Sequence, residues 1–209
     1  MSIANYFTFF RIFISPIFLL VYMEREAFDI SPMALPYILL FLLVVSELSD
    51  AFDGFIARRY NQVTDLGKIL DPMADSIWRI SVFLTFTLPP VNLNLLIIFI
   101  FLYRDSVIST LRTICALKGF ALAARLSGKI KALIQAIAAL IVVVLLIPHS
   151  MGYITTQSLH YFSTWVVGIA AIYSLFSGVD YIYANRQYIR KILTERPKKK
   201  SKVSKVSRV

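Results

Sequence analysis

Apolar residues run in long blocks along this chain, and short clusters of charged or turn-forming residues interrupt them. A helix that crosses a bilayer needs about 20 mostly apolar residues. Six stretches meet or approach that length: Asn5–Met23, Pro36–Ala57, Asp75–Leu88, Leu93–Thr113, Lys131–Pro148 and His160–Ala184. The third is the shortest, so its first turn is expected to extend back towards Asp71. The interruptions are "MEREAFDISP", the segment after Asp50, "PPVN", "CALKGFALAARLSGK" and "PHSMGYITTQS", all rich in turn formers or charge. The pattern predicts an all-α integral membrane protein with six transmembrane helices. The first apolar run begins close to Met1 without a basic leader, which predicts a retained helix rather than a cleaved signal.

Cation placement adds an orientation. The second connection holds Arg58, Arg59 and Lys68, the fourth holds Lys118, Arg125 and Lys129, and a basic segment follows the last span. The first connection holds only Arg25, beside Glu24, Glu26 and Asp29, and the third and fifth hold neither Lys nor Arg. By the positive-inside rule both termini are expected in the cytoplasm. Composition agrees: 58% of the 209 residues are hydrophobic and only 16% are charged, which excludes an ordinary soluble domain. The net charge is +10, but 10 of the 22 Lys and Arg lie beyond Asn185. Such a local excess predicts contact with membrane lipids rather than nucleic acid. The expected division is a membrane domain over 1–193 and a basic, disordered tail over 194–209. Cys115 is the only cysteine, so no disulfide forms within the chain.

The unusual chemistry lies between "PYILLFLLVVSELS" and "SIWRISVFLTFTL", in "DAFDGFIARRYNQVTDLGKILDPMAD". On a helix, Asp50, Asp53, Gly54 and Ala57 share one face, and Asp71 and Asp75 share a face of the next. Antiparallel packing of those two helices would gather all four carboxylates. Each costs on the order of 3 kcal/mol at depth in a bilayer, and Arg58, Arg59 and Lys68 lie at other helical angles. Oxygen ligands with no His or Cys nearby point to Mg²⁺ or Mn²⁺, and four carboxylates suit two ions. Gly54, Ala57 and Gly67 would let a bulky ligand, or simply another helix, approach closely.

The stretch has the form D-x2-D-G-x2-A-R-x8-G-x3-D-x3-D, which resembles the signature of the CDP-alcohol phosphotransferases. Asp50, Asp53, Gly54, Ala57, Arg58, Gly67, Asp71 and Asp75 fill its fixed positions. "NYFTFFRI" (Asn5, Thr8, Arg11), "YRDSVISTLR", "SGKIK" and "YSLFSGVDYI" resemble the branch that makes phosphatidylglycerol phosphate. The resemblance implies a six-helix homodimeric enzyme, in the cytoplasmic membrane of a bacterium with its site facing the cytoplasm. Such an enzyme moves the phosphatidyl group of CDP-diacylglycerol to glycerol 3-phosphate and releases CMP. It further implies that Asp50, Asp53, Asp71 and Asp75 hold two metal ions and that Asp75 is the general base. Asn5, Thr8, Gly54, Ala57, Arg58 and Gly67 would serve the CDP moiety.

Arg104 and Arg112 on the fourth span, with Lys129 and Lys131 at the start of the fifth, are the candidates for an acceptor phosphate. Arg104 could instead pair with Asp105, and the lysines could be ordinary cytoplasmic flanking charge. Three positions depart from the family: Ser76 where many members carry Lys, Asp105 where Glu is usual, and the additional acid Glu47. Arg79, one turn past Ser76, is a candidate to replace the missing charge. Rival readings are another acceptor (serine, inositol phosphate or a phospholipid), a catalytically weak relative, and a divalent-cation carrier.

Overall fold

The computed structural model describes the backbone of residues 3–59, 65–117 and 125–194, and the side chains of 8–50, 52, 71–115 and 125–190. Regular structure among the described residues is entirely helical. It comprises α1 (Ile3–Met23), α2 (Leu35–Arg59), α3 (Asp65–Thr85), α4 (Leu95–Leu117), α5 (Leu126–Ser150), α6 (Thr156–Ala184) and α7 (Arg186–Thr194).

The first six helices correspond one to one with the six apolar stretches, but their ends differ. α3 starts at Asp65 rather than near Asp71, and α5 starts at Leu126, so Lys129 and Lys131 lie inside its first two turns. Hydropathy detects only the part of a helix that faces lipid or core. Polar end turns are held by backbone hydrogen bonds that composition does not display. α7, nine residues of mostly basic and polar character, was invisible to the apolar pattern for the same reason.

α5 and α6 are long and apolar enough to cross a membrane, and Thr8–Met23 forms a shorter apolar segment. Large apolar side chains face outward around the bundle, among them Phe13, Phe41, Leu84, Leu96, Leu133 and Ile172. Ser46, Thr85, Gln135, Ser163 and Ser174 are buried. An apolar exterior around a partly polar interior is the reverse of a soluble bundle and fits an all-α membrane protein.

The helices close into a ring. α1 packs against α2 and α3, α2 against α5, α5 against α6, α6 against α4, and α4 against α3, which also touches α5. α7 packs against α4 and α6. The direct antiparallel packing of α2 on α3 expected from their short connection is not present among the described residues. α1 lies between them, and only long side chains cross: Trp78 Nε1 donates to Glu47 at 3.4 Å, and Arg79 lies 4.0 Å from the same carboxylate. The intervening helix supplies a cation that both acid-bearing helices reach, since Arg11 bonds to Asp50 of α2 and Asp75 of α3.

Below the charged end, aromatic rings fill the ring interior. Phe18 on α1 meets Trp78 and Phe86 edge-on, with centroids 5.6 and 6.3 Å apart, and Phe83 packs on Phe101 at 4.8 Å. The α3–α4 turn closes where the Leu93 amide donates to the Phe86 carbonyl at 2.9 Å. Asn92 there adopts φ 56°, a left-handed conformation that asparagine tolerates. Phe18→Ala empties a fully buried ring site and is expected to lower stability by about 3 kcal/mol, read as an earlier denaturant midpoint in detergent. Phe13→Ala, at an outward position, is the control and leaves that midpoint nearly unchanged.

Candidate active site

Among the described side chains, α1 gathers the motif aspartates Asp50, Asp71 and Asp75. Arg11 Nη1 donates to Asp50 Oδ1 at 2.5 Å and also to Asp75 Oδ1. One turn earlier, Thr8 Oγ1 donates to Asp71 Oδ1 at 2.7 Å. Thr8 and Arg11 share a face of α1 because they are three residues apart, and Asp71 and Asp75 share a face of α3 at a spacing of four. Arg11 is 1% exposed, whereas the Asp50 and Asp75 side chains are 42% and 38% exposed. The cation is therefore sunk beneath the acids and the acids face outward. Asp53, Gly54, Ala57 and Arg58 lie on α2, Gly67 on α3 and Asn5 on α1, with side chains outside the described residues.

The donor chemistry suits a hard divalent cation: carboxylate oxygens, partly exposed, with no His or Cys among them. Among the described residues no three such groups converge as a metal site by themselves. Asp50 and Asp75 do converge as a pair, since one guanidinium nitrogen reaches both. A positive charge is already required between them.

Beside Asp71 and Asp75, a cavity of about 290 Å³ opens where α3, α4, α5 and α6 meet. Asp71, Asp75, Ser76 and Arg79 form its α3 wall; Arg104, Asp105 and Arg112 its α4 wall; Arg125, Lys129 and Lys131 its α5 side; Tyr181 its α6 side. The sequence candidates for an acceptor phosphate thus share one chamber with two of the motif aspartates. Six cations line it against three carboxylates, an excess of positive charge.

Those cations are not equivalent. Asp105, 6% exposed, binds Lys131 Nζ at 2.6 and 2.8 Å and Arg104 Nη1 at 2.9 Å. The pairing of Arg104 with its neighbour is realised, and Lys131 joins it. Ser76 reaches the same carboxylate at 3.5 Å, so the position that lacks the family's usual Lys is tied to Asp105. Arg79 lines the cavity, anchored by a 2.8 Å hydrogen bond from its Nη1 to the Ala132 carbonyl. No ion pair to Arg112 or Lys129 is present among the described residues. Arg112 lies over the Tyr181 ring, 6.0 Å from its centroid, and its buried Nε has no hydrogen-bond partner. Arg112 and Lys129 are the cations best placed to receive an external anion.

Comparison with known proteins fits this geometry. The family model for CDP-alcohol phosphatidyltransferases matches residues 1–178. The chain belongs to the CDP-alcohol phosphatidyltransferase family. The match bears out the family expected from the aspartate motif. Among curated relatives, the CDP-diacylglycerol–glycerol-3-phosphate 3-phosphatidyltransferase of Rickettsia felis is 29% identical over 187 residues, covering 90% of this chain and 97% of the relative. The Bacillus subtilis protein of the same name is 27% identical over 198 residues, again covering 90% of this chain and 97% of its own length. The Escherichia coli K12 protein of that name is 36% identical over a shorter 76 residues, 36% of this chain and 38% of the relative.

Several site residues carry no assignment from sequence alone. Arg11 was visible only as a motif position and as a charge within an apolar run. Ser177, Gly178, Asp180 and Tyr181 lie in the last apolar span, where the acid Asp180 and the family-like segment "YSLFSGVDYI" were the available signals, without a role for any residue. Arg11→Met leaves two carboxylates without their buried cation and is expected to cost about 3 kcal/mol, measured by unfolding in detergent with chelator present. Arg11→Lys keeps the charge and recovers part of the loss.

Proposed function

We propose that the protein transfers the phosphatidyl group of CDP-diacylglycerol to glycerol 3-phosphate, forming phosphatidylglycerol phosphate and CMP. One observation carries the reading: a single cavity joins Asp71 and Asp75 to the cations Arg112 and Lys129. Its size suits a small molecule, and its positive excess suits a phosphate monoester better than serine. Family membership favours group transfer over cation transport, and the names of the relatives favour this donor and acceptor.

In this reading Arg112 and Lys129 hold the acceptor phosphate and turn its hydroxyl towards Asp75. The Asp75 carboxylate accepts the hydroxyl proton, because an alcohol is a poor nucleophile until deprotonated. The acceptor oxygen bonds to the phosphatidyl phosphorus as the bond from that phosphorus to CMP breaks, and CMP leaves with the electron pair. Two divalent ions, Mg²⁺ or Mn²⁺, held by Asp50, Asp53, Asp71 and Asp75 would supply charge neutralisation at the pyrophosphate. Asn5, Gly54, Ala57, Arg58 and Gly67 serve the CDP moiety. Thr8 does so through Asp71. Arg104 and Lys131 line the same cavity and, through their pairing with Asp105, would meet the acceptor phosphate from a fixed wall.

The same reading sets α1–α6 as six membrane spans of a homodimer in a bacterial cytoplasmic membrane. Both termini and the cavity mouth then face the cytoplasm. The positive-inside distribution and the outward apolar faces support it.

The test is CMP release from CDP-diacylglycerol with Mg²⁺ or Mn²⁺ and one acceptor at a time. Release with glycerol 3-phosphate, and not with serine or inositol phosphate, is expected. No CMP with any acceptor overturns the reading. Asp75→Asn is expected to lower kcat by at least about 100-fold while CDP-diacylglycerol still binds; unchanged turnover would remove Asp75 as the base. Arg112→Ala is expected to raise the acceptor KM about tenfold with little change in the donor KM.

A further inference from the structure

One turn of α6, "SGVDY", meets cations or first-turn residues from each of the other elements that build the basic side of the cavity. Ser177 Oγ accepts from Arg104 Nη2 at 2.9 Å. Gly178 leaves the space that Arg104 crosses: a Cβ there would lie 3.0 Å from Arg104 Cγ. Asp180 Oδ2 forms an ion pair with Arg125, 3.0 Å from its Nε, and accepts a hydrogen bond from Ser127 Oγ at 2.6 Å. Tyr181, 3% exposed, puts its ring beneath Arg112.

We propose that the α6 turn Ser177–Tyr181 is the positioning element of the acceptor cavity, fixing Arg104, Arg112 and the first turn of α5 at the separations that a phosphate monoester requires. The proposal rests on the acceptor reading above. Converging arginines repel one another and each has many rotamers, so a bundle that merely contained them would splay them apart. The turn counters this with one hydroxyl, one missing side chain, one carboxylate and one π face. Asp180 is its pivot. The N-cap of α5, Arg125, makes no side-chain capping bond, so the carboxylate that pairs with Arg125 and accepts from Ser127 supplies negative charge at that helix start. That same first turn presents Gly128 and Lys129 to the cavity. A carboxylate would repel a phosphate, so Asp180 acts through the residues it holds.

The experiment uses full-length protein in lipid nanodiscs. Binding of inorganic phosphate and of glycerol 3-phosphate is titrated calorimetrically with chelator present, and KM is measured for donor and acceptor with metal. Asp180→Asn and Gly178→Ala are expected to weaken binding of both anions about tenfold, the scale of one lost charged hydrogen bond. Acceptor KM rises to match, and donor KM does not move. Asp180→Glu restores most of the affinity. Tyr181→Phe, which keeps the ring, is weakened less than Tyr181→Leu. Unchanged phosphate binding in Asp180→Asn overturns the proposal, as does an equal rise in both KM values or a parent protein that binds no phosphate. If Gly178→Ala does not fold, the Asn and Glu substitutions at Asp180 decide. Phosphate binding that follows the variants, in a parent that releases no CMP with glycerol 3-phosphate, upholds the positioning role and removes the acceptor assignment instead.

Discussion

Arg11 is the cation on which the arrangement of helices depends. One of its guanidinium nitrogens bonds to both Asp50 and Asp75, which belong to different helices. Neither acid-bearing helix could sit directly on the other without bringing like charges together at low dielectric. α1 packs against both, its cation offsets the charges that converge there, and the ring runs in the order α1–α2–α5–α6–α4–α3. The arginine is buried and both carboxylates are partly exposed, and Asp75 lines the cavity while its charge is held in place by Arg11.

A second balance operates across the cavity. Asp105 binds Arg104 and Lys131 together, and Asp180 binds Arg125. Two internal acids thus restrain three cations, while Arg112 and Lys129 keep their charge for a ligand. A buried carboxylate in a phosphate site looks counterproductive, but a set of unrestrained cations would repel and leave the chamber shapeless. The internal pairs fix the walls, and the remaining cations give the site its net attraction for an anion. Arg79 extends the same logic, fixed by the Ala132 carbonyl near Glu47.

Much of this was legible in the chain. The six apolar blocks correspond to α1–α6 because a long apolar stretch removed from water is accommodated as a helix, which satisfies its backbone hydrogen bonds internally. The aspartate spacing was legible because helical periodicity alone puts Asp71 and Asp75 on one face. Arg104, Arg112, Lys129 and Lys131 were legible as a set, since charge in an apolar context is expensive and therefore purposeful. Helix ends were less so: the early start of α3 and the short basic α7 depend on backbone hydrogen bonds and docking rather than on hydropathy.

The sequence by itself determined the six long helices, the carboxylate motif and the family, because periodicity and spacing are local properties of the chain. Only the tertiary structure decided which charge meets which. Arg11 and Asp75 are 64 residues apart, Arg104 and Ser177 73, and Ser127 and Asp180 53, so each pairing required the ring to close. A hydrogen-bonded ion pair needs its donor and acceptor within about 3 Å. It is therefore fixed by ångström-scale placement of whole helices, which no spacing along the chain encodes.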